Sequence, residues 1–423
     1  MHKKTKSNEG VDALALMRKW PGNGQHGRAM QMRAQVALAK RVSHISYEIR
    51  DIVRKAREVQ KTGKKIIWMN IGDPNQYGFS PPVHITRAIH EALNDPKYSG
   101  YCPSEGDPEL REAVAKAQET EKSRVFITSG LSEGIDFLFQ SLLNPGDNIL
   151  LPSPGYPLYN TKSRVLGGRD NFYCCSEDYL PSPEDIRKKI NEKTRAIVVI
   201  NPNNPTGAVY PRSLLQEIAN IAGEHNLPII ADEIYDHLVL DGAPSINLRS
   251  LTKDVPLISG NGISKNFLYP GARVGWLAFS GEGTDALEGA IQKFCNQRLS
   301  VNWEMQRGAL AAITTSPTHL EETHRQLLLR RDSFMKGISS IPSLHCPIPH
   351  AAFYTFVKVN SPKFRTDKEF VYSLLDETGV LVVPGSAFSP TLNGNYFRAT
   401  FLPPPEEITE AFEKMGKFLK EKG

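Results

Sequence analysis

One lysine, Lys265, lies among small residues in the stretch GNGISKNFLYPGARVGW (260–276), and Arg273 follows eight residues later behind a Pro-Gly turn. A lysine amine can bond covalently to a carbonyl carbon, and an arginine offers two parallel N–H donors to a phosphate or carboxylate. A solvated loop residue would explain the lysine equally well. Its interpretation therefore depends on the side chains that the fold brings to it.

Four other segments place polar side chains where a predicted strand ends: TSGLSEG (128–134), PSPGYPLY (152–159), NPNNPTG (201–207) and IIADEIY (229–235). The first opens a helix, whose free backbone N–H groups and Ser132 hydroxyl form an anion site suited to phosphate. The second offers the ring of Tyr156, and the third offers the side-chain amide of Asn204. Each segment also has a structural explanation, as an ordinary turn or a packed ring.

Asp232 ends a buried apolar strand, where a carboxylate is costly unless a cation or a metal faces it. Magnesium in a nucleotide hydrolase is one possibility, but the chain lacks the G-x-x-x-x-G-K-[ST] motif that those enzymes need. An organic cation remains. The segments together describe a ligand with a phosphate, a flat ring, a ring hydroxyl, a protonated ring nitrogen and a carbonyl. Pyridoxal 5'-phosphate has all five, so we predict this cofactor and no metal.

A scaffold of alternating strands and helices must position these side chains. Near-continuous apolar strands such as RAIVVINP and LPIIADEIY are separated by helical segments from Pro82 to about Thr315. This pattern predicts an α/β fold with a mainly parallel sheet covered by helices on both faces, and ligands at the carboxyl ends of its strands. After Thr315 the pattern changes to mixed helices and strands, which indicates a second, smaller α+β domain.

Composition excludes several classes of protein. With 40% apolar and 23% charged residues, the 423-residue chain resembles soluble globular proteins, and it has no apolar run long enough to span a membrane. Its five cysteines show no C-x-x-C spacing, which argues against a disulfide framework or zinc site and favours a reducing, cytoplasmic location. Residues 1–41 carry a charge of +7 and residues 42–423 one of −2, so the body offers no nucleic-acid surface.

These patterns predict four regions. Residues 1–43 form a basic leader that we expect to be disordered, because acidic residues and the breakers in WPGNGQHG fit a transit peptide poorly. A transit sequence and a remnant of cloning are the alternatives. Residues 44–80 are expected to be the N-terminal segment of the small domain, 81–315 the large cofactor-binding domain, and 316–423 the C-terminal small domain.

The segments NPNNPTG, ADEIY and SKNFLYPGARVGW resemble those of fold-type I pyridoxal-phosphate-dependent aminotransferases of class I/II. The resemblance runs from about Tyr47 to the C-terminus. Within this branch, SYEIR, NIGDPNQYGF and INPNNPTGAVY are most similar to bacterial and archaeal alanine aminotransferases. The resemblance implies a seven-stranded sheet in the large domain and a homodimer whose active sites lie at the subunit interface.

The resemblance also assigns roles to individual residues. Lys265 would bind the cofactor covalently and later move a proton between substrate and cofactor, and Asp232 would pair with the ring nitrogen. Tyr101 would reach the phosphate of the neighbouring subunit. The implied cofactor-binding residues are Tyr101, Gly130, Leu131, Ser132, Tyr156, Asn204, Asp232, Tyr235, Ser264, Lys265 and Arg273.

For the substrate, Arg398 in NYFRATF resembles the arginine that binds the α-carboxylate, together with Gly72 and Asn204. Glutamate carries a second carboxylate, and a second arginine must accept it. Arg50, with Tyr47 nearby in SYEIR, is our candidate, and Arg298 in NQRLSVN is the alternative. Each is otherwise explained as an arginine on a helix surface.

Two positions depart from the wider family. Gly262 stands where a serine is frequent, so one phosphate-binding hydroxyl is expected to be missing. Ala351 in PHAAFY stands where the family usually has glycine, and we expect it to narrow or reshape the substrate entrance.

The predicted reaction converts alanine and 2-oxoglutarate to pyruvate and glutamate, in a ping-pong cycle between pyridoxal and pyridoxamine forms of the cofactor. An aspartate or aromatic amino acid aminotransferase is the nearest alternative, followed by a lyase of the same fold. A transcriptional regulator built on this fold would need an N-terminal helix-turn-helix domain, for which the short, Pro- and Gly-interrupted leader leaves no room.

Overall fold

The computed structural model of the chain describes residues 36–45, 48–241 and 245–422. Residues from Lys40 onward form one compact unit. Most of the predicted leader, and Tyr47, lie outside the described residues. Within those residues, no helix combines the length and the apolar character that a membrane span requires.

The described residues contain twelve α-helices: α1 (Glu48–Lys61), α2 (Val83–Leu93), α3 (Pro108–Ala117), α4 (Leu131–Leu142), α5 (Pro157–Val165), α6 (Pro183–Lys189), α7 (Arg212–Glu224), α8 (Asp285–Arg298), α9 (Trp303–Thr314), α10 (His319–Ser339), α11 (Asp367–Thr378) and α12 (Pro405–Lys422). They also contain thirteen strands: β1 (Ile67–Trp68), β2 (Val125–Thr128), β3 (Asn148–Ser153), β4 (Phe172–Cys174), β5 (Thr194–Ile200), β6 (Ile229–Asp232), β7 (Leu257–Gly262), β8 (Gly275–Ser280), β9 (Leu344–His345), β10 (Tyr354–Val359), β11 (Val380–Leu381), β12 (Val383–Pro384) and β13 (Asn395–Thr400).

Seven strands form the large sheet, in the order β2-β8-β7-β6-β5-β3-β4. Strand β8 runs antiparallel to both of its neighbours, and the other pairs are parallel. The prediction of an α/β fold with a mainly parallel sheet is confirmed. The antiparallel strand follows from chain connectivity, because the link between β7 and β8 contains no crossover helix, and a parallel return needs one.

The register of the central strands brings their carboxyl ends together. Ile200 at the end of β5 pairs with Asp232 at the end of β6, and Asp232 pairs with Gly260 near the end of β7. The turns that carry Asn204 and Lys265 follow directly, so both emerge at the same edge of the sheet as Asp232.

Two smaller sheets belong to the rest of the chain. Strands β12-β13-β10-β9 form an antiparallel sheet, and β1 pairs in parallel with β11 through Ile67 and Val380. Ile52 of α1 packs in the same hydrophobic core as Phe370 of α11 and Ile408 of α12. On this basis we propose that residues 44–80 and 316–423 form the small domain. Tyr235 belongs to the same core and links the large sheet to it.

Candidate active site

A cavity of about 420 Å³ opens where β5, β6 and β7 end. Most of the predicted site residues line it: Arg50, Leu131, Ser132, Tyr156, Asn204, Asp232, Tyr235, Ser264, Lys265 and Arg273. These residues come from segments far apart in sequence, and the shared edge of the sheet brings them together. The cavity is the candidate active site.

Lys265 reaches into this cavity from the loop after β7. Its Nζ donates a hydrogen bond of 2.7 Å to the carbonyl oxygen of Gly72 and lies 5.5 Å from the ring centroid of Phe353. Burial lowers the pKa of Lys265 to about 8; Asp73 opposes this shift, and Arg398 and Arg273 add to it. A lowered pKa leaves more of the amine uncharged near neutral pH, and only the uncharged amine is a nucleophile or base.

The carbonyl of Gly72 can approach Lys265 because residue 72 has no side chain. A Cβ there would lie 1.8 Å from Tyr354 Oη and 2.7 Å from Phe353 Cε2. The two rings would have to move; Tyr354 lines the cavity, and Phe353 lies beside Lys265. The glycine therefore allows residue 72 to pack closely against Phe353 and Tyr354.

Substituting Gly72→Ala is expected to destabilise the protein by about 1–3 kcal/mol, the usual cost of overpacking, and to raise KM by displacing the rings. Thermal unfolding and steady-state kinetics measure the two effects. Gly289→Ala is the matched control, because nothing lies within 4 Å of a Cβ at that helical position. Equal behaviour of the two variants would contradict the packing argument.

Asp232 is 5% exposed at the end of β6. Tyr159 Oη donates to its Oδ2 at 2.8 Å, and the backbone N–H of Ile234 donates to its Oδ1 at 3.2 Å. Burial raises the pKa of Asp232 to about 6, although both hydrogen bonds oppose that shift. This buried carboxylate, lining the cavity, is suited to face a cationic ring nitrogen, whose charge would favour the ionised form.

Without such a cation, the carboxylate of Asp232 lowers stability. Because its folded-state pKa lies above the ordinary value, the folded protein binds more protons, and stability falls as pH rises from about 4 to about 6. We expect Asp232→Asn to stabilise the cofactor-free protein at pH 7.5 by about 3 kcal/mol, and by much less at pH 4. Denaturant unfolding at both pH values tests this, and an equal change at both would contradict it.

The turn before α4 forms the anion end of the cavity. Gly130 precedes the helix with φ of +68°, a conformation that favours glycine, and a Cβ there would lie 2.3 Å from Arg273 Nη2. The guanidinium of Arg273 therefore lies directly against the turn. The hydroxyl-bearing residues Ser132 and Ser264 line the cavity beside it. A helix N-terminus, an arginine and two serines are suitable donors for a phosphate.

Gly262 has a steric explanation, because a Cβ at that position would lie 2.7 Å from the carbonyl oxygen of Val274. Ala351 is fully buried and is not among the residues that line the cavity, so the structure gives no support to a narrowed entrance at that residue.

Arg398 lies at the small-domain side and is 2% exposed. Its Nη1 donates to Asn204 Oδ1 at 3.4 Å, and its Nη2 donates to the carbonyl oxygen of Asn70. The rings of Tyr354 and Phe388 each lie 4.5 Å from its Cζ. A guanidinium fixed between two rings is oriented to bind a planar carboxylate.

Three other predicted residues, Arg50, Arg298 and Tyr101, differ in their position relative to the cavity. Arg50 on α1 is exposed and lines the cavity. Arg298 does not line it; its Nη1 instead pairs with Glu133 Oε2 at 3.0 Å. Tyr101 is 81% exposed and is not part of the lining in its own chain.

Comparison with known proteins identifies the family. The family model of "Aminotransferase class I and II" matches residues 64–415. The chain belongs to this family. It is 36% identical over 397 residues to the glutamate-pyruvate aminotransferase AlaA of Haemophilus influenzae, covering 90% of this chain and 97% of that protein.

Two further comparisons support the assignment of this aminotransferase. An alanine aminotransferase of Mycobacterium tuberculosis is 34% identical over 411 residues, covering 93% of this chain and 95% of that protein. The solved structure of an alanine aminotransferase from Pyrococcus furiosus matches with a TM-score of 0.88 and 40% identity, covering 91% of this chain and all of that one.

Aminotransferases of this family use pyridoxal phosphate, and the donors of the cavity fit it. The α4 turn with Arg273 suits its phosphate, the buried carboxylate of Asp232 suits its protonated ring nitrogen, and the amine of Lys265 suits its aldehyde. Within the described residues, no cluster of His, Cys, Asp and Glu could hold a metal ion.

Sequence reasoning missed two residues of this aminotransferase site, Tyr159 and Tyr354. Tyr159 lies three residues after Tyr156, one helical turn away on α5, and donates to Asp232. Tyr354 contacts Arg398 and accepts a 3.3 Å hydrogen bond from Tyr235. The helical spacing in PSPGYPLY is a signal that could have found Tyr159. Tyr354 lies in an ordinary apolar strand pattern, which gave no such signal.

Proposed function

We propose that this aminotransferase transfers the amino group of alanine to 2-oxoglutarate, producing pyruvate and glutamate in a ping-pong cycle. The cavity supports this proposal, because Lys265 and Arg50 line it and Arg398 lies directly behind its wall, in contact with the lining residue Asn204. Two arginines are what a site needs when one substrate has one carboxylate and the other has two. The names of the relatives from Haemophilus and Pyrococcus agree with this substrate pair.

We propose that Arg398 binds the α-carboxylate of each substrate through a two-point contact. The flanking rings of Tyr354 and Phe388 keep water away from the guanidinium and thereby strengthen that contact. The side-chain amide of Asn204, already 3.4 Å from Arg398 Nη1, completes the position of the substrate. Substrate Cα is then held near Lys265.

The proposed role of Lys265 is proton transfer. The uncharged amine of Lys265 would take the proton from substrate Cα and later give up a proton again in the same half-reaction. When bound, pyridoxal phosphate supplies the electron sink that makes this Cα–H acidic. Asp232 would stabilise the positive charge on the ring nitrogen, and Tyr159 fixes the orientation of that carboxylate.

The remaining predicted residues of the site would hold the ring and the phosphate of the cofactor. Tyr156 would stack on the ring of pyridoxal phosphate, and Asn204 and Tyr235 would donate hydrogen bonds to the ring hydroxyl oxygen. The phosphate site consists of Gly130, Leu131, Ser132, Ser264 and Arg273. All of these except Gly130 line the cavity, and Gly130 abuts Arg273.

We further propose a cytoplasmic homodimer. The exposed ring of Tyr101 is consistent with a residue that completes the phosphate site of a partner subunit, and a buried partner contact would explain so large an exposed ring. All five cysteines are free, as a reducing compartment predicts. Light scattering, together with complementation between Tyr101→Ala and Lys265→Ala subunits, tests this arrangement.

Half-reaction spectra test the substrate assignment. Purified holoenzyme is mixed separately with L-alanine, L-glutamate, L-aspartate and L-tyrosine, and conversion from the pyridoxal to the pyridoxamine form is followed by absorbance. Conversion by alanine and glutamate alone is the expected result. Conversion mainly by aspartate or tyrosine would assign the enzyme to that specificity, and no conversion by any amino acid would contradict transamination.

A further inference from the structure

A carboxylate lies at the helix end that is expected to bind the cofactor phosphate. Glu133 is in the first turn of α4, and its Oε2 accepts a 2.7 Å hydrogen bond from the backbone N–H of Ser129. This contact stabilises the turn, as a capping carboxylate does. It also places a negative charge close to the site of a phosphate dianion, and the two charges repel each other.

Arg298, the last residue of α8, compensates that charge. Its Nη1 lies 3.0 Å from Glu133 Oε2, and the two side chains are only 16% and 19% exposed. Solvent screens so enclosed a pair less than a surface pair. The nearby carboxylate of Glu105 has its own partner, because it lies 3.2 Å from Arg111 Nη1.

The same guanidinium also holds two backbone segments. Its Nη2 donates to the carbonyl oxygen of Ser104 at 2.9 Å and to that of Ile127 at 3.3 Å. Ile127 lies in β2, two residues before Ser129 in the turn that precedes α4, and Ser104 lies three residues after Tyr101. Arg298 therefore connects α8 to the turn before α4 and to the segment that carries Tyr101.

We propose that Arg298 is a positioning residue for the cofactor phosphate, which it favours by neutralising Glu133 and by tying the α4 turn to the Ser104 segment. It acts through these groups and does not line the cavity. This inference rests on the proposed function, because it takes pyridoxal phosphate as the ligand. It replaces the alternative role of Arg298 in binding the distal carboxylate of glutamate.

The test compares pyridoxal phosphate with pyridoxal, which lacks the phosphate. Dissociation constants are measured by absorbance for wild type, Arg298→Met, Glu133→Gln and the double variant. Arg298→Met is expected to weaken pyridoxal phosphate binding about tenfold or more, because the partly buried carboxylate of Glu133 then has no positive partner and repels the phosphate. Binding of pyridoxal is expected to stay within about twofold of wild type. The double variant is expected to recover most of that loss, because the uncompensated carboxylate is gone.

Each possible result supports or overturns the proposed role of Arg298. If Arg298→Met weakens the binding of pyridoxal phosphate and of pyridoxal equally, the substitution has a general effect on the fold. If adding Glu133→Gln to Arg298→Met does not restore pyridoxal phosphate binding, the loss is not caused by the uncompensated charge of Glu133. Either result overturns the proposal. Wild type that binds pyridoxal phosphate, with an Arg298→Met variant that binds it equally well, would overturn this inference alone. Wild type that does not bind pyridoxal phosphate would overturn the proposed function.

Discussion

Replacing Lys265 with alanine is expected to lower the rate of transamination by roughly 10⁴-fold, the upper end of what a positioned general base contributes. The structure offers no substitute for this amine. Among the groups that line the cavity in the described residues, Lys265 is the only lysine, and the other nearby cations are arginines, which do not give up a proton. Single-turnover kinetics of the loaded enzyme with alanine measure the effect directly.

Two controls separate proton transfer from general damage. Lys265→Arg keeps a positive charge in the cavity but cannot exchange a proton near neutral pH, so it should be nearly as inactive as Lys265→Ala. Methylamine added to Lys265→Ala should restore part of the rate, because it supplies a small amine to the space that the side chain leaves. Substantial activity in Lys265→Arg, or no rescue at any amine concentration, would contradict the proton-transfer role.

The residues that could be predicted from sequence share a physical feature. Asp232 is the last residue of a strand, and Asn204 and Lys265 lie in the turns that directly follow two other strands, so the signals for all three are local in sequence. The carboxyl ends of neighbouring parallel strands meet at one edge, as the pairing of Ile200 with Asp232 shows. Local signals together with this topological rule were enough to bring the three residues into one site.

The contacts that could not be predicted depend on long-range packing. The hydrogen bond from Tyr159 to Asp232 requires the orientation of α5 over the sheet, and the pair of Arg298 with Glu133 joins residues 165 positions apart. An arginine at the end of a helix has the same local sequence whether it binds substrate or a neighbouring carboxylate. For this reason the local sequence of Arg298 also fits a residue that binds the distal carboxylate of glutamate.

Strand β1 shows a similar limit. The segment KIIWMNIG predicts a longer strand, but only Ile67–Trp68 form one. Met69 continues with hydrogen bonds to two different partners, since its N–H donates to Leu381 O and its carbonyl accepts from Thr400 N–H. The next carbonyl, that of Asn70, accepts from Arg398. Regular strand pairing therefore ends at the residues that contact Arg398, in the proposed substrate site.

Arg398 should affect every substrate, whereas Arg50 should affect only those with two carboxylates. We expect Arg398→Met to lower kcat/KM for alanine, glutamate and both oxo acids by roughly 10²- to 10³-fold, because two charge-assisted hydrogen bonds to the α-carboxylate are lost. Arg398→Lys should recover only part of this loss, since an ammonium lacks the planar fork that fits between Tyr354 and Phe388.

The matched variant is Arg50→Gln, which leaves the buried arginine in place. Arg50 is exposed on α1, so its removal should disturb the fold little, and kcat/KM for alanine and pyruvate should stay within about threefold of wild type. For glutamate and 2-oxoglutarate we expect a loss of roughly tenfold or more, the worth of one charge-assisted contact. Equal losses for alanine and glutamate would show that Arg50 does not distinguish one carboxylate from two, and would contradict its role in binding the distal carboxylate.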